Sequence, residues 1–221
     1  MVRADFDRNL KLLQDDLMAL GSMVESAIAK SMNALETRDI EASRRVVSDD
    51  DLIDRKRFQL EDQCIDLIAT QQPLAIDLRT LMSVMHISVE LERMGDYAEG
   101  IGKISLMMVN EPPIKPIVDI PRMAEKASSM LQRSLDALVN RDAAAAVEVC
   151  NADDEVDDLY DRVYRDLLEY MTRNPAAIQR ATYMLWVAHD LERIADRATN
   201  IAEQVIFLVT GKLIGTKALK S

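Results

Sequence analysis

Aromatic residues are scarce in this chain of 221 residues: one Trp, five Tyr and three Phe. Six glycines and six prolines leave few places where the backbone can turn sharply. No segment alternates apolar and polar residues as a half-buried strand does, so a β-rich fold is excluded and helices are expected. The two cysteines, Cys64 and Cys150, are 86 positions apart with no CxxC or zinc-finger spacing. They read as buried thiols in a reducing compartment, not as a disulfide framework. No run reaches the roughly 18 apolar residues of a membrane span, and the opening MVRADFDRNL lacks the apolar core of a signal peptide. A cytoplasmic protein is therefore expected. Positive charge is also in short supply, with 27 Lys and Arg against 38 Asp and Glu, a net −11. Such a surface repels phosphate backbones, which excludes nucleic acid as a partner.

Hydrophobic residues make up 48% of the chain and charged residues 29%, enough apolar surface for a packed core and too much spread for disorder. The first segment places Phe6, Leu10, Leu13, Leu17, Leu20, Val24, Ala27, Ser31 and Leu35 at spacings of three and four, one face of a long helix. The same reading along the chain gives six helices, at 5–36, 40–71, 76–109, 120–140, 143–173 and 177–210. Gly211 stands where a C-cap glycine belongs. Pro112, Pro113, Pro116 and Pro121 crowd between the third and fourth helices, and Pro73 and Pro175 interrupt the other long patterns. The expected fold is all-α, two tandem three-helix bundles. The divisions are 1–110 for the first bundle, 111–119 for a proline-rich linker, 120–211 for the second bundle and 212–221 for a tail.

The halves are copies. ELERMGDYAEGIG from Glu90 matches DLERIADRATNIA from Asp190, and RDIEASRRVVSDDDLID from Arg38 matches RDAAAAVEVCNADDEVD from Arg141. The offsets, 100 and 103, differ by three residues, a deletion best placed at the Pro73/Pro175 turn. Four acidic pairs recur at matched positions: Asp50 with Asp54, Glu92 with Asp96, Asp153 with Asp157, and Glu192 with Asp196. Residues i and i+4 share a helix face, and like charges there are destabilising unless a cation neutralises them. Chance placement of 38 acids gives about six such pairs, most of them solvated faces. It does not give four at repeat-matched sites.

In an antiparallel helix hairpin, facing residues share one midpoint. Asp50 opposite Asp96 and Asp54 opposite Glu92 both put it at 73. Asp153 opposite Asp196 and Asp157 opposite Glu192 both put it at 174.5, beside Pro175. Each bundle thus levels four carboxylates at one height, with Glu61 and Glu99 on the flanks of the first and Glu203 on that of the second. All-oxygen donor sets suit hard cations such as Mg²⁺, Ca²⁺, Mn²⁺ or ferric iron over sulfur-ligated zinc. His189 lies on the same side as Glu192 but aligns with Val89, which argues for a surface or packing role. His86 and Trp186 align with each other and read as packing residues. Arg93 and Arg193, directly after the glutamates, are read as local neutralisers of charge. No nucleophile elbow, P-loop, dinucleotide or HExxH pattern is present, and Glu-x-x-His does not occur.

The blocks ELERMGD and DLERIAD, the QQPLAIDLR turn from Gln71 to Arg79, and the six-helix duplication resemble the PhoU family of bacterial phosphate-signalling regulators, from about residue 5 to 210. That resemblance implies a cytoplasmic, non-enzymatic negative regulator of the phosphate-starvation response. It implies two partners, the ATPase subunit of a phosphate ABC transporter and a sensor histidine kinase, with membrane proximity only through them. A homo-oligomer is left open. It also implies metal, whether iron, manganese, magnesium or zinc, on Asp50, Asp54, Glu92, Asp96, Asp153, Asp157, Glu192 and Asp196, with Glu99, Asn200 and Glu203 as further donors. Gly100 stands where Asn200 sits in the other copy, so the first site is expected to be the weaker. The competing functions are a metal-free helical adaptor and, more remotely, a carboxylate-cluster metalloenzyme, which would need an open coordination position beside a base.

Overall fold

A computed structural model of the chain describes residues 2–111 and 119–212. Six helices run α1 Val2–Thr37, α2 Ile40–Gln71, α3 Ile76–Met108, α4 Asp119–Asn140, α5 Ala143–Arg173 and α6 Ile178–Thr210, with a 3₁₀ turn at Pro175–Ala177 leading into α6. Their ends fall within three residues of those expected from periodicity. Pro112, Pro113 and Pro116 of the linker, and the tail beyond Lys212, lie outside the described residues. Pro121 is the third residue of α4, in the first turn, where its missing N–H costs no helical hydrogen bond.

The turns show the duplication at atomic detail. After α1 and after α4 the chain passes through Arg38 and Arg141, both left-handed, at φ 56° and 50°. Each is followed by an Asp that caps the next helix: Asp39 accepts from the Ala42 N–H, and Asp142 from those of Ala144 and Ala145. The N–H groups of Asp39 and Asp142 bond back to the carbonyls of Ala34 and Ala137, closing each preceding helix. The α2–α3 and α5–α6 turns are both four residues long but differ in form. Residues 72–75 bridge the first, whereas Asn174 and the 3₁₀ turn bridge the second. Gly211 closes α6 at φ 73°, with its N–H on the Phe207 carbonyl.

Helices α1, α2 and α3 pack on one another, as do α4, α5 and α6, and the two bundles meet through α3 against α6 and α1 against α4. One continuous core results. Leu13, Leu17, Leu20 and Val24 of the α1 stripe are buried, and Leu10, Ala27 and Leu35 pack at its margin. The α3 stripe Val84, Ile87, Leu91, Met94, Ala98 and Ile101 is wholly buried. At about 1.5–3 kcal/mol for each large aliphatic side chain, this seam holds the rods together. Cys64 and Cys150 are buried thiols outside any disulfide, and burial pushes the Cys64 thiol up to about 12. Two packing assignments need correction: His86 is exposed and Trp186 is 48% exposed, resting against Tyr183 with ring centroids 5.6 Å apart. No helix among the described residues is long and apolar enough to cross a membrane.

Candidate functional site

Antiparallel packing of α2 on α3 brings Asp50, Asp54 and Asp96 together. One carboxylate oxygen from each lies within 4.8 Å of the others. Gly95 allows this approach. A Cβ built there would stand 3.0 Å from Ile53 Cδ1 and 3.2 Å from Asp50 Oδ1, closer than ordinary contact. The missing side chain therefore lets the α2 face that carries Ile53 and Asp50 settle directly onto the α3 backbone.

The electrostatics follow from that crowding. Asp50 is pushed up to about 7, first by burial and then by the neighbouring charges of Glu99, Asp96 and Asp54, against the pull of Lys103. Asp96 is raised by burial and then by Asp54 and Glu99. Glu92 is raised by burial and by Asp96, while Arg57 and Arg93 hold it down. The cations at the rim are already committed: Lys103 donates to Glu99 at 2.6 Å, and Arg57 to Glu61 at 3.0 Å. What remains is a trio of hard oxygen donors, two half-buried and Asp96 exposed, whose mutual repulsion Lys103 relieves only in part. A hard cation fits that donor set and relieves that repulsion.

The second copy is arranged differently. Arg193 donates through Nε and Nη2 to the two oxygens of Glu192, at 2.6 and 2.5 Å, and its Nη1 lies 2.8 Å from Asp196 Oδ2. Burial raises Asp196, and Arg193 opposes that shift. Among the described residues, no three oxygens of Asp153, Asp157, Glu192 and Asp196 converge as the first trio does. Ala195 stands in place of Gly95 here. Both arginines neutralise local charge, but differently: Arg193 bonds both acids of its copy directly, whereas Arg93 acts on Glu92 and Asp96 only through its field and makes its contact with Glu90, at 3.9 Å. Glu203 is half-buried on α6. His189 is exposed, with Nδ1 3.8 Å from Glu192 Oε2 and its ring 6.3 Å from that of Tyr160.

Asn200 does not face the second cluster. Its Nδ2 donates to Glu90 Oε2 across the bundle junction at 2.9 Å, and Arg197 reaches the same oxygen at 3.2 Å. The expectation that Gly100 weakens the first cluster therefore loses its basis. The counterpart of this contact is Asp190, which lies against Gly100 and is pushed up to about 7 by burial. Sequence reasoning missed this junction, although Glu90 and Asp190 open the two matched blocks and Gly100 and Asn200 stand near their ends.

The family model described as the PhoU domain matches twice, at residues 17–105 and 120–205. The phosphate-specific transport system accessory protein PhoU homolog of Clostridium acetobutylicum is 39% identical over 215 residues, covering 97% of this chain and 98% of that one. The homolog of the same description from Aquifex aeolicus is 36% identical over 96% of both chains. Among solved structures, PhoU from Pseudomonas aeruginosa superposes with a TM-score of 0.90 at 33% identity, covering 94% of this chain and all of that one. The regulatory protein PhoU from Streptococcus pneumoniae gives 0.89 at 29% identity, covering 95% and 99%. With both repeats matched, relatives aligned from end to end and the same six-helix fold, this chain belongs to the PhoU family of phosphate transport accessory proteins.

Proposed function

We propose that this protein is a cytoplasmic, non-enzymatic negative regulator of phosphate uptake and starvation signalling. It acts by bridging the ATPase subunit of a phosphate ABC transporter and a sensor histidine kinase. What carries the reading is the end-to-end match of both repeats to proteins described as phosphate transport accessory proteins. The α-rods offer long exposed faces, and a standard protein interface of about 1,600 Å² fits on such a face. A metal ion held by Asp50, Asp54 and Asp96, with Glu92 and Glu99 at the margin, neutralises the first cluster and stiffens the α2–α3 face. Arg193 favours a cation-free second cluster, so that bundle serves as a plain helical adaptor unless Arg193 swings away.

The test is complementation. In a bacterial host lacking its own family member, expression of this chain restores repression of a phosphate-starvation reporter in phosphate-rich medium, and the chain co-purifies with the ATPase subunit and the kinase. A stably expressed chain that leaves the reporter derepressed overturns the regulatory reading. Replacing Asp50, Asp54 and Asp96 together with Asn, followed by elemental analysis, tests the metal separately.

A further inference from the structure

A second concavity lies far from the acidic cluster, where the two bundles meet at the end of the molecule bearing the α4–α5 turn. It has a volume of about 200 Å³ and is bounded by α1 and α3 on one side and by the ends of α4 and α6 on the other. Leu17, Val84, Leu138 and Leu208 line it with hydrocarbon. At its rim stand Lys11 and Arg141, one from each bundle. On a chain of net charge −11, the side chains of these two cations make no hydrogen bond or ion pair among the described residues.

Two asymmetries single this place out. Arg38, the repeat counterpart of Arg141, occupies an equivalent left-handed turn and donates to the Glu111 carbonyl at 3.0 Å. Arg141 has the same backbone, and among the described residues no such acceptor meets its guanidinium. The second asymmetry is a hydroxyl. Four buried helix hydroxyls, those of Ser31, Thr80, Ser88 and Ser134, bond back to their own helix. Ser83 is 1% exposed, lines this concavity, and its Oγ, like that of Thr199 elsewhere on α6, has no partner among the described residues. A buried hydroxyl without a partner is costly, and a ligand oxygen satisfies it.

We infer that the concavity at the bundle junction is a binding site for a small organic monoanion with a hydrocarbon body, a short-chain carboxylate being the simplest member of the class. Arg141 and Lys11 hold the carboxylate, the leucines and Val84 cover the chain, and Ser83 meets a polar atom of the ligand or of its water. The size is below the roughly 300–1,000 Å³ of sites for drug-sized ligands, which limits the ligand to a few carbons. Asp15 shares the rim and repels a dianion, and the apolar lining gives nothing to a fully hydrated inorganic ion. Because both bundles contribute, occupancy fastens one to the other. The inference is independent of the metal and of the regulatory role.

The experiment is a methyl NMR titration of the full chain with sodium hexanoate, hexylammonium chloride and inorganic phosphate at matched ionic strength. Hexanoate should shift the methyls of Val84, Leu138 and Leu208 saturably, with a Kd on the order of a millimolar for so few atoms. Replacing both exposed cations, Lys11→Gln with Arg141→Gln, should weaken it by about tenfold or more, since charge-assisted hydrogen bonds are lost. Ser83→Ala is the variant that reports on the orphaned hydroxyl, and it should alter the Val84 shift while sparing the fold. Absence of a saturable hexanoate shift overturns the site. So does equal binding of hexylammonium, competition by phosphate, or full affinity in the double variant.

Discussion

Arg193 grips Glu192 with two hydrogen bonds, of 2.6 and 2.5 Å, although the two are neighbours in sequence. It also reaches Asp196, so one guanidinium does for the second cluster what a bound cation would do for the first. The repeats therefore diverge at the step that matters for metal. Wild-type protein, stripped and titrated with Mn²⁺ by calorimetry, should show a single class of site that disappears in the Asp50→Asn/Asp54→Asn variant. Arg193→Gln removes the internal cation and should both lower the melting temperature of the metal-free protein and add a second, weaker Mn²⁺ site. Unchanged stoichiometry in that variant would disprove the role given to Arg193.

The pH dependence follows from Asp50 and Asp190, whose ordinary value of 3.8 is raised in both cases to about 7. Between those values the folded chain keeps protons that the unfolded chain has released. These two groups thus contribute stability to the metal-free protein that is fully present below about pH 4, falls as pH rises toward 7, and is lost above it. Melting in a chelator should give a higher temperature at pH 5 than at pH 8, and Asp50→Asn with Asp190→Asn should flatten the curve. Excess divalent cation should restore the loss at pH 8 in the wild type, because metal competes with the proton for Asp50. A melting temperature that rises with pH in chelator would contradict the assignment.

Gly95 sets how closely α2 approaches α3. Gly95→Ala gains roughly 1 kcal/mol of helix propensity but must displace Ile53 and Asp50, and overpacking of this kind typically costs about 1–3 kcal/mol. The expected net effect is mild destabilisation together with weaker Mn²⁺ binding, as the α2 carboxylates are pushed out of register with Asp96. Adding Ile53→Val removes one of the obstructing methyl groups and should recover part of both losses. If Gly95→Ala binds metal as tightly as wild type, the close approach is not what assembles the trio.

Much of this was legible in the sequence because helices declare themselves locally. The spacing of Leu13, Leu17, Leu20 and Val24 fixes a buried stripe, and the common midpoint at Pro73 puts Asp50 level with Asp96, two of the trio that converges with Asp54, whereas Glu92 is outside that trio. The internal repeat then carries the same frame to the second half. Rotation of side chains about the helix axis was not legible. Arg93 and Arg193 occupy one motif position yet point to different acids, a choice decided by tertiary neighbours and not by spacing. The bundle junction was hidden for a related reason. A repeat match pairs Glu90 with Asp190, whereas the fold pairs Glu90 with Asn200 and Asp190 with Gly100, because α3 and α6 run antiparallel.

That junction supports one more expectation. Glu90 is 16% exposed and receives hydrogen bonds from Asn200 and Arg197, a charged group held between two bundles by donors from the other side. Its partner across the pseudo-twofold, Asp190, lies against Gly100 and receives no side-chain hydrogen bond among the described residues, so the two halves of the junction are satisfied unequally. Removing Asn200 as Asn200→Ala leaves Arg197 in place and should cost about 1 kcal/mol. Removing Arg197 as Arg197→Met leaves the carboxylate with Asn200 as its hydrogen-bond donor and only the half-exposed Arg93 nearby, at 3.9 Å, and should cost more, about 2 kcal/mol. A double-mutant cycle between Glu90→Gln and Arg197→Met isolates the pair, because it cancels the effects each change has elsewhere. A coupling near 1 kcal/mol or above, read from urea unfolding, would mean that the pair fastens one bundle to the other. Coupling indistinguishable from zero would leave the joining of the bundles to the other contacts of α3 on α6 and of α1 on α4.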